Sequence, residues 1–149
     1  MCVPVFFVLL ELALTLAGIA PVVETEDPYI GFSSYIPLFQ TGKHDSVLRE
    51  TATSKLAFFN HQTFAVEKET NAFRIFSVGG STTYGRPYDD TTSFTGWLRK
   101  LLPHTDPTRE WDVINAGGIS YASYRVANVM QELTEYEPDL FIVYCGHNE

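Results

Sequence analysis

The stretch Arg74-Ile-Phe-Ser-Val-Gly-Gly-Ser-Thr-Thr-Tyr-Gly85 decides the fold of this chain. Its first half is a short apolar run with β-branched and aromatic side chains, which is typical of a buried strand. The glycine pair then permits a tight turn, and three hydroxyls follow at residues 81–83. Because α/β sheets bind ligands at the carboxyl ends of their parallel strands, Ser81 is a candidate nucleophile. The alternative interpretation is that this loop only caps the next helix.

Helices and strands alternate after this turn. Residues 91–102 carry apolar side chains at helical spacing, with capping hydroxyls at Thr91, Thr92 or Ser93, and Pro103 is expected to end that helix. Residues 111–116 form a second strand that ends in a glycine pair. The order strand, helix, strand, helix, strand predicts an α/β fold with parallel pairing and right-handed crossovers.

The second helix and the third strand complete this unit. Residues 124–136 form an amphipathic helix, which ends before Pro138 and whose apolar stripe is expected to face the core: Val126, Val129, Met130 and Leu133. Residues 139–145 form a third strand, and its unbroken apolarity indicates cover on both faces.

All three strand ends carry distinctive residues, and parallel strands place those ends on one edge of the sheet. Ser81 follows the first strand, Asn115-Ala-Gly-Gly ends the second, and Gly146-His-Asn-Glu follows the third. A serine, flexible loops with inward N–H groups and the Asn148 carboxamide are the inventory for acyl transfer, in which each oxyanion donor is worth about 3 kcal/mol. For Asn148 alone, the alternative is an ordinary turn residue.

The composition indicates a globular chain and excludes some partners. At 149 residues and 45% hydrophobic residues, the chain has room for one domain with a core. Its net charge of −8 repels phosphate backbones, so we expect no nucleic-acid binding. Cys2 and Cys145 build neither a disulfide framework nor a site with metal-ligand spacing, and we predict no metal and no cofactor.

Residues 1–23 are almost continuously apolar, and about twenty such residues suffice to cross a bilayer as a helix. Glu11 interrupts the run near its middle, and a charge at that depth raises the free energy of membrane insertion by about 2.5–3.5 kcal/mol. We interpret the segment as an apolar amino-terminal helix that acts as a transmembrane or signal anchor. A cleaved signal peptide and a buried helix are the alternatives.

Residues 24–70 are expected to connect this helix to the domain of residues 71–149. Prolines and a glycine within residues 28–39 exclude a long helix, and residues 41–70 show no sustained period. Leu56-Ala-Phe-Phe and Phe64-Ala-Val look like short extended pieces. We expect the aromatic side chains of residues 28–39 to pack on the domain rather than to rest at a membrane interface.

Residues 73–149 resemble the first half of an SGNH hydrolase domain, the GDSL esterase and lipase superfamily. Val78-Gly-Gly-Ser-Thr resembles its first block, Val113-Ile-Asn-Ala-Gly its second, and Tyr144-Cys-Gly-His-Asn-Glu its third. Gly80 stands where the name-giving motif has an acidic residue. The resemblance implies a partial flavodoxin-like three-layer sandwich, a hydrolase acting on small acyl esters, and, from membrane-anchored bacterial members, a domain outside the cytoplasm.

The resemblance also assigns roles to single residues. It implies Ser81 as the nucleophile, with its own N–H in the oxyanion hole, and Asn148 as the side-chain donor to that hole. Aligned without a gap, the family's oxyanion glycine falls on Ser120, whose backbone N–H then becomes a further donor. Gly118 is the alternative donor if the loop is shifted.

The family's base is the histidine of an Asp-x-x-His block near the carboxyl end, and these 149 residues contain no such block. We therefore expect an amino-terminal fragment that is inactive alone. Two other classes stay open: a flavodoxin-like module that binds phosphate or FMN, which flavin absorbance would reveal, and a non-catalytic anchored module that serves interaction.

Overall fold

The computed structural model describes residues 2–19, 36–43 and 45–149. Helix α1 spans Cys2–Leu16, 15 residues, and at 1.5 Å per residue it is about 22 Å long, whereas a bilayer core is about 30 Å thick. Within the described ranges, no helix is long and apolar enough to cross a membrane. This finding overturns the prediction of a single-pass anchor over residues 1–23 and the membrane localisation that rested on it. Residues 20–35, which include the start of the predicted connector, lie outside the described residues.

The next part of the chain forms a small antiparallel sheet. Its strands are β1 (Phe39–Thr41), β2 (Leu48–Thr51) and β3 (Thr63–Ala65), paired in the order β1-β2-β3. Phe39 and Phe64 are buried and contact each other edge to face, with ring centroids 4.9 Å apart. This sheet lies within the predicted connector and places two aromatic side chains in the core.

A parallel three-stranded sheet forms the centre of the fold, as predicted. Its strands are β4 (Ala72–Gly79), β5 (Glu110–Gly117) and β6 (Leu140–Tyr144), in the order β5-β4-β6. The helices that follow its strands are α2 (Ser81–Tyr84), α3 (Phe94–Thr105) and α4 (Ser123–Leu133). Short 3-10 turns span Thr53–Lys55, Asp90–Thr92 and Thr134–Tyr136. The chain is therefore a mixed α/β protein.

Helix α3 begins at one of its predicted caps but ends later than predicted. Ser93 caps it, because the Ser93 hydroxyl accepts the N–H of Gly96 at 3.0 Å. The helix also continues through Pro103 to Thr105. A proline in the last turn removes only one backbone donor, and the N–H of Asp106 still reaches the carbonyl of Leu102 at 3.0 Å. The prediction that Pro103 ends the helix is therefore wrong.

One hydrophobic core joins the two sheets to α4. It combines the small sheet, one face of the parallel sheet and the predicted apolar stripe of α4, of which Val126 and Leu133 are buried and Val129 and Met130 are partly buried. Glu132 on α4 also accepts the backbone N–H of Leu38 at 2.8 Å. Apolar packing and this hydrogen bond therefore hold the small sheet on the domain.

Strand β6 is less covered than its apolarity predicted. Leu140, Val143 and Tyr144 are 44%, 50% and 52% exposed. The sheet order explains this, since β6 pairs with β4 on one side and has no strand on its other side within the described chain. The prediction that both faces of this strand are covered is wrong, because an edge strand need not be buried on both faces.

Candidate functional site

Three loops leave the parallel sheet at the same level of its carboxyl edge. Gly79, the last residue of β4, pairs with Gly117 at the end of β5 and with Tyr144 at the end of β6. The loops that follow are residues 80–85, 118–122 and 145–149. They carry Ser81, Ser120 and Asn148 respectively, so the strand pairing brings the three segments that hold the predicted site residues to one edge.

Ser81 is the first residue of α2, and Gly80 occupies the N-cap position without a side-chain cap. Ser81 is half-buried, and its hydroxyl makes no hydrogen bond in the described part of the chain. Its carbonyl, by contrast, accepts the N–H groups of Gly85 and Arg86 at 3.1 and 3.0 Å. The backbone of Ser81 is therefore fixed while its hydroxyl is unengaged.

Asn148 lies directly against the Ser81 turn. Its side-chain nitrogen lies closer to the position of a Cβ on residue 80 than two such atoms can approach, so only glycine at that position leaves room for the amide as placed. The same amide donates to the carbonyl of Tyr121 at 3.0 Å. Asn148 thus connects the loop after β6 with both the Ser81 turn and the loop after β5.

The loop after β5 presents Ser120 in a left-handed backbone conformation. Ser120 has φ 61° and is exposed, and its N–H has no hydrogen-bond acceptor within residues 36–43 and 45–149. The N–H of Gly118, the alternative donor, is engaged by the carbonyl of Gly79 at 2.9 Å. Of these two positions, only Ser120 therefore has a backbone donor free for a ligand. No hydrogen bond of the described chain joins Ser120 to Ser81 or Asn148.

Glu149 fixes the end of the third loop. Its carboxylate accepts the N–H of Ser123 at 3.0 Å and the hydroxyl of Ser123 at 2.8 Å. Ser123 is the first residue of α4, and a carboxylate at a helix N-terminus is favoured by the unpaired N–H groups and the helix dipole. The third loop is therefore tied to the start of α4 next to Asn148.

A buried polar network lies below the Ser81 turn, and most of its residues carry no signal in the sequence. The Asp90 carboxylate accepts three hydrogen bonds, from the guanidinium of Arg99 at 2.8 Å, from the side-chain amide of Asn115 at 2.7 Å and from that of Gln62 at 3.0 Å. Burial by itself raises the pKa of Asp90, but hydrogen bonds from Arg99, Asn115 and Gln62 outweigh burial, and the pKa lies below the ordinary aspartate value. Asn115 at the predicted second strand end was the only sequence signal for this network.

The described histidines do not supply an evident base for Ser81. His147 is closest to the turn: its ring lies 3.4 Å from the Cβ position of residue 80, and its Nε2 is 3.5 Å from the Thr82 hydroxyl. None of His61, His104 and His147 makes a hydrogen bond to the Ser81 hydroxyl.

No group of three or more His, Cys, Asp or Glu side chains among the described residues is arranged to hold a metal ion.

Comparison of the chain with protein-family models, curated proteins and solved structures gives no match. What the fold defines is a mixed α/β protein with a parallel three-stranded sheet and polar side chains gathered at its carboxyl edge.

Proposed function

We propose that this chain carries the nucleophile and the oxyanion-binding groups of a serine ester hydrolase of the SGNH type. The observation that carries the proposal is the position of the Asn148 amide against Gly80, the residue before Ser81, whose hydroxyl is unengaged. A carboxamide donor beside a serine at the carboxyl edge of a parallel sheet suits acyl transfer. A flavodoxin-like three-layer arrangement belongs to the same proposal.

Each group has a definite role in this chemistry. The Ser81 oxygen attacks the acyl carbon of an ester, and the carbonyl oxygen becomes an oxyanion as the carbon turns tetrahedral. The Asn148 amide and the backbone N–H groups of Ser81 and Ser120 donate to that oxyanion. The alcohol then leaves, and water hydrolyses the acyl group from Ser81. A base must take the Ser81 proton in the first step, and we assign no described residue to that role.

Serine labelling supported by an added base tests this proposal. Ser81 attacks the phosphorus of a fluorophosphonate, the O–P bond forms, the P–F bond breaks, fluoride leaves, and imidazole in the buffer takes the hydroxyl proton. We expect labelling of the 149-residue chain at Ser81, located by peptide mass mapping, with a rate that rises with imidazole concentration. Ser81→Ala should remove the label.

The matched control is Ser46→Ala, which changes an exposed serine beside β2, outside the three loops. This variant should label at the wild-type rate. Equal labelling of Ser81 in the native and the urea-unfolded chain would overturn the proposal, because the reactivity of Ser81 would then not depend on the folded site. Flavin absorbance after incubation with FMN, without Ser81 labelling, would favour a phosphate-binding module instead.

A further inference from the structure

The short helix that carries Ser81 is held at its carboxyl end by two side-chain amides. Asn60 donates from Nδ2 to the carbonyl of Tyr84 at 2.7 Å. Asn115 donates from Nδ2 to the carbonyl of Thr83 at 2.9 Å and to that of Tyr84 at 3.3 Å. The last carbonyls of a helix have no partner within it, so these two amides satisfy groups that the four-residue helix cannot pair itself.

Asn115 is itself fixed from several sides. It is 1% exposed, and its Oδ1 accepts the N–H of Gly117 at 3.0 Å. Its backbone N–H donates to the side-chain oxygen of Gln62 at 2.9 Å, and the same oxygen accepts a guanidinium N–H of Arg99 at 2.9 Å. The Asn115 amide therefore has one orientation, and the carbonyls it binds are positioned with it.

Close backbone packing makes this support rigid. A Cβ on Gly117 would lie 2.7 Å from the carbonyl carbon of Thr83 and 2.5 Å from the N of Tyr84. Helix α2 therefore rests on the backbone of β5 without an intervening side chain. Displacement of the Ser81 backbone then requires α2 to leave both this contact and its two amide donors.

We propose that Asn60 and Asn115 are positioning residues, which set the place of the Ser81 backbone, and with it the point from which the hydroxyl attacks, by holding the carbonyl end of α2. This inference rests on the proposed function. Neither residue is assigned contact with the substrate. Their removal should lower the rate of bond formation at Ser81 and leave the affinity for the reagent unchanged, since a displacement of about 1 Å costs about a hundredfold in rate.

The test measures fluorophosphonate labelling of the full chain as a function of reagent concentration, which separates the reagent affinity from the maximal labelling rate. Asn60→Asp removes the amide donor at nearly constant volume, and we expect the maximal rate to fall about ten- to a hundredfold with unchanged affinity. Asn60→Gln, which keeps a donor, should recover part of the rate. Asn115→Ser probes the second amide without placing a charge beside Asp90.

Lys68→Met is the control for general destabilisation, because Lys68 pairs with Asp139 at 2.9 Å, before the amino end of β6. It should label at the wild-type rate even when its melting temperature falls as far as that of Asn60→Asp. A wild-type maximal rate in Asn60→Asp and Asn115→Ser would overturn the positioning role while leaving the proposed function in place.

Hydrogen exchange distinguishes the failure of the two proposals. If wild-type Ser81 does not label, the proposed function fails, and exchange at Tyr84, Gly85 and Arg86 then decides the positioning role. Faster exchange confined to those amides in Asn60→Asp supports it, since they bond to the carbonyls of Gly80 and Ser81. Unchanged exchange there overturns it.

Discussion

Asn148 donates its side-chain amide to the carbonyl oxygen of Tyr121 at 3.0 Å. This bond joins the loop after β6 to the loop after β5, across 27 residues of sequence. A primary amide has two N–H donors, so one remains for a ligand after this bond is made. The same side chain can therefore hold the edge of the sheet together and bind a developing negative charge next to Ser81.

Gly80→Ala is expected to separate the Asn148 amide from the Ser81 turn. The new Cβ would lie too close to the amide nitrogen, which is the far end of a flexible side chain and moves at small cost. We expect the melting temperature to change by only a few degrees and the labelling rate of Ser81 to fall about tenfold or more, as for loss of one oxyanion donor. Thermal unfolding and labelling kinetics measure the two effects.

A double-mutant cycle with Asn148→Ala identifies the cause of that loss. If Gly80→Ala acts by moving the amide, it should have little further effect once Asn148 is alanine. Additive losses in the double variant would contradict the assignment and place the effect of residue 80 elsewhere.

Ser120→Gly is expected to stabilise the chain. Ser120 has φ 61°, a left-handed conformation that costs a residue with a Cβ about 1–2 kcal/mol and that glycine adopts freely. The greater entropy of glycine in the unfolded chain offsets part of the gain, so we expect a net increase of about 0.5–1 kcal/mol in the free energy of unfolding, measured in urea. Ser81 labelling should be retained, because glycine keeps the backbone N–H.

Glu137→Gly is the matched variant for this prediction, since Glu137 has φ 53° and lies after α4, away from the three loops. It should gain stability by a similar amount. A loss of stability in Ser120→Gly together with a gain in Glu137→Gly would show that the Ser120 side chain makes a favourable contribution of its own.

The parallel sheet could be predicted because its signals are local. The strand and helix periods after Phe73 appear within windows of about ten residues, and only their order is needed to infer parallel pairing. In the small sheet, the extended piece predicted at Phe64-Ala-Val overlaps β3, whereas the one predicted at Leu56-Ala-Phe-Phe is wrong, because residues 56–58 form a turn and Phe59 makes only a single bridge. The rest of the small sheet could not be found in this way. Its strands are three or four residues long, too short for a period of two to stand out, and they lie in a stretch that alternates irregularly.

In the candidate site, too, one part could be predicted from the sequence and another could not. Ser81 and Asn148 follow strands whose ends parallel pairing brings to one edge of the sheet, so their common location could be predicted from the sequence. The supporting network depends on side chains that are distant in sequence: Asn60 lies 24 residues from Tyr84, and Gln62 lies 53 residues from Asn115. No local pattern encodes such pairs, and both Asn60 and Gln62 lie in the segment predicted to be a connector.

Arg74→Met is expected to destabilise the fold by about 3 kcal/mol in urea unfolding. Arg74 is 1% exposed, and its guanidinium donates to Asp112 at 2.6 Å, to the carbonyl of Tyr136 at 2.8 Å and to that of Ala65 at 2.9 Å. Methionine fills much of the volume but leaves a carboxylate and two carbonyls without this donor.

Arg109→Met is the control for Arg74→Met. The Arg109 side chain is 43% exposed and lies 3.6 Å from Asp106, so its loss should cost less than about 1 kcal/mol. Equal effects of the two substitutions would contradict the view that burial and the number of hydrogen bonds set the contribution of an arginine in this fold.

Acid should destabilise the folded chain through Asp90 and Asp139. Burial raises the pKa of each carboxyl, but hydrogen bonds outweigh it, from Arg99, Asn115 and Gln62 at Asp90 and from Arg74 and Lys68 at Asp139. Because the folded pKa values are lowered, their stabilisation is fully present above the unfolded value of about 4 and is lost as pH falls through the folded values. Urea unfolding between pH 7 and pH 3 should show a decline in stability below about pH 4.

Asp90→Asn tests the share of Asp90 in that decline. It should be less stable than wild type at pH 7, because an amide oxygen replaces a carboxylate that accepts three donors, and its stability should fall less steeply below about pH 4. Ser46→Ala, which changes an exposed side chain without a charge, should keep the wild-type slope. An unchanged slope in Asp90→Asn would show that Asp90 titrates alike in the folded and unfolded chain, and the hydrogen bonds around it would then not lower its pKa.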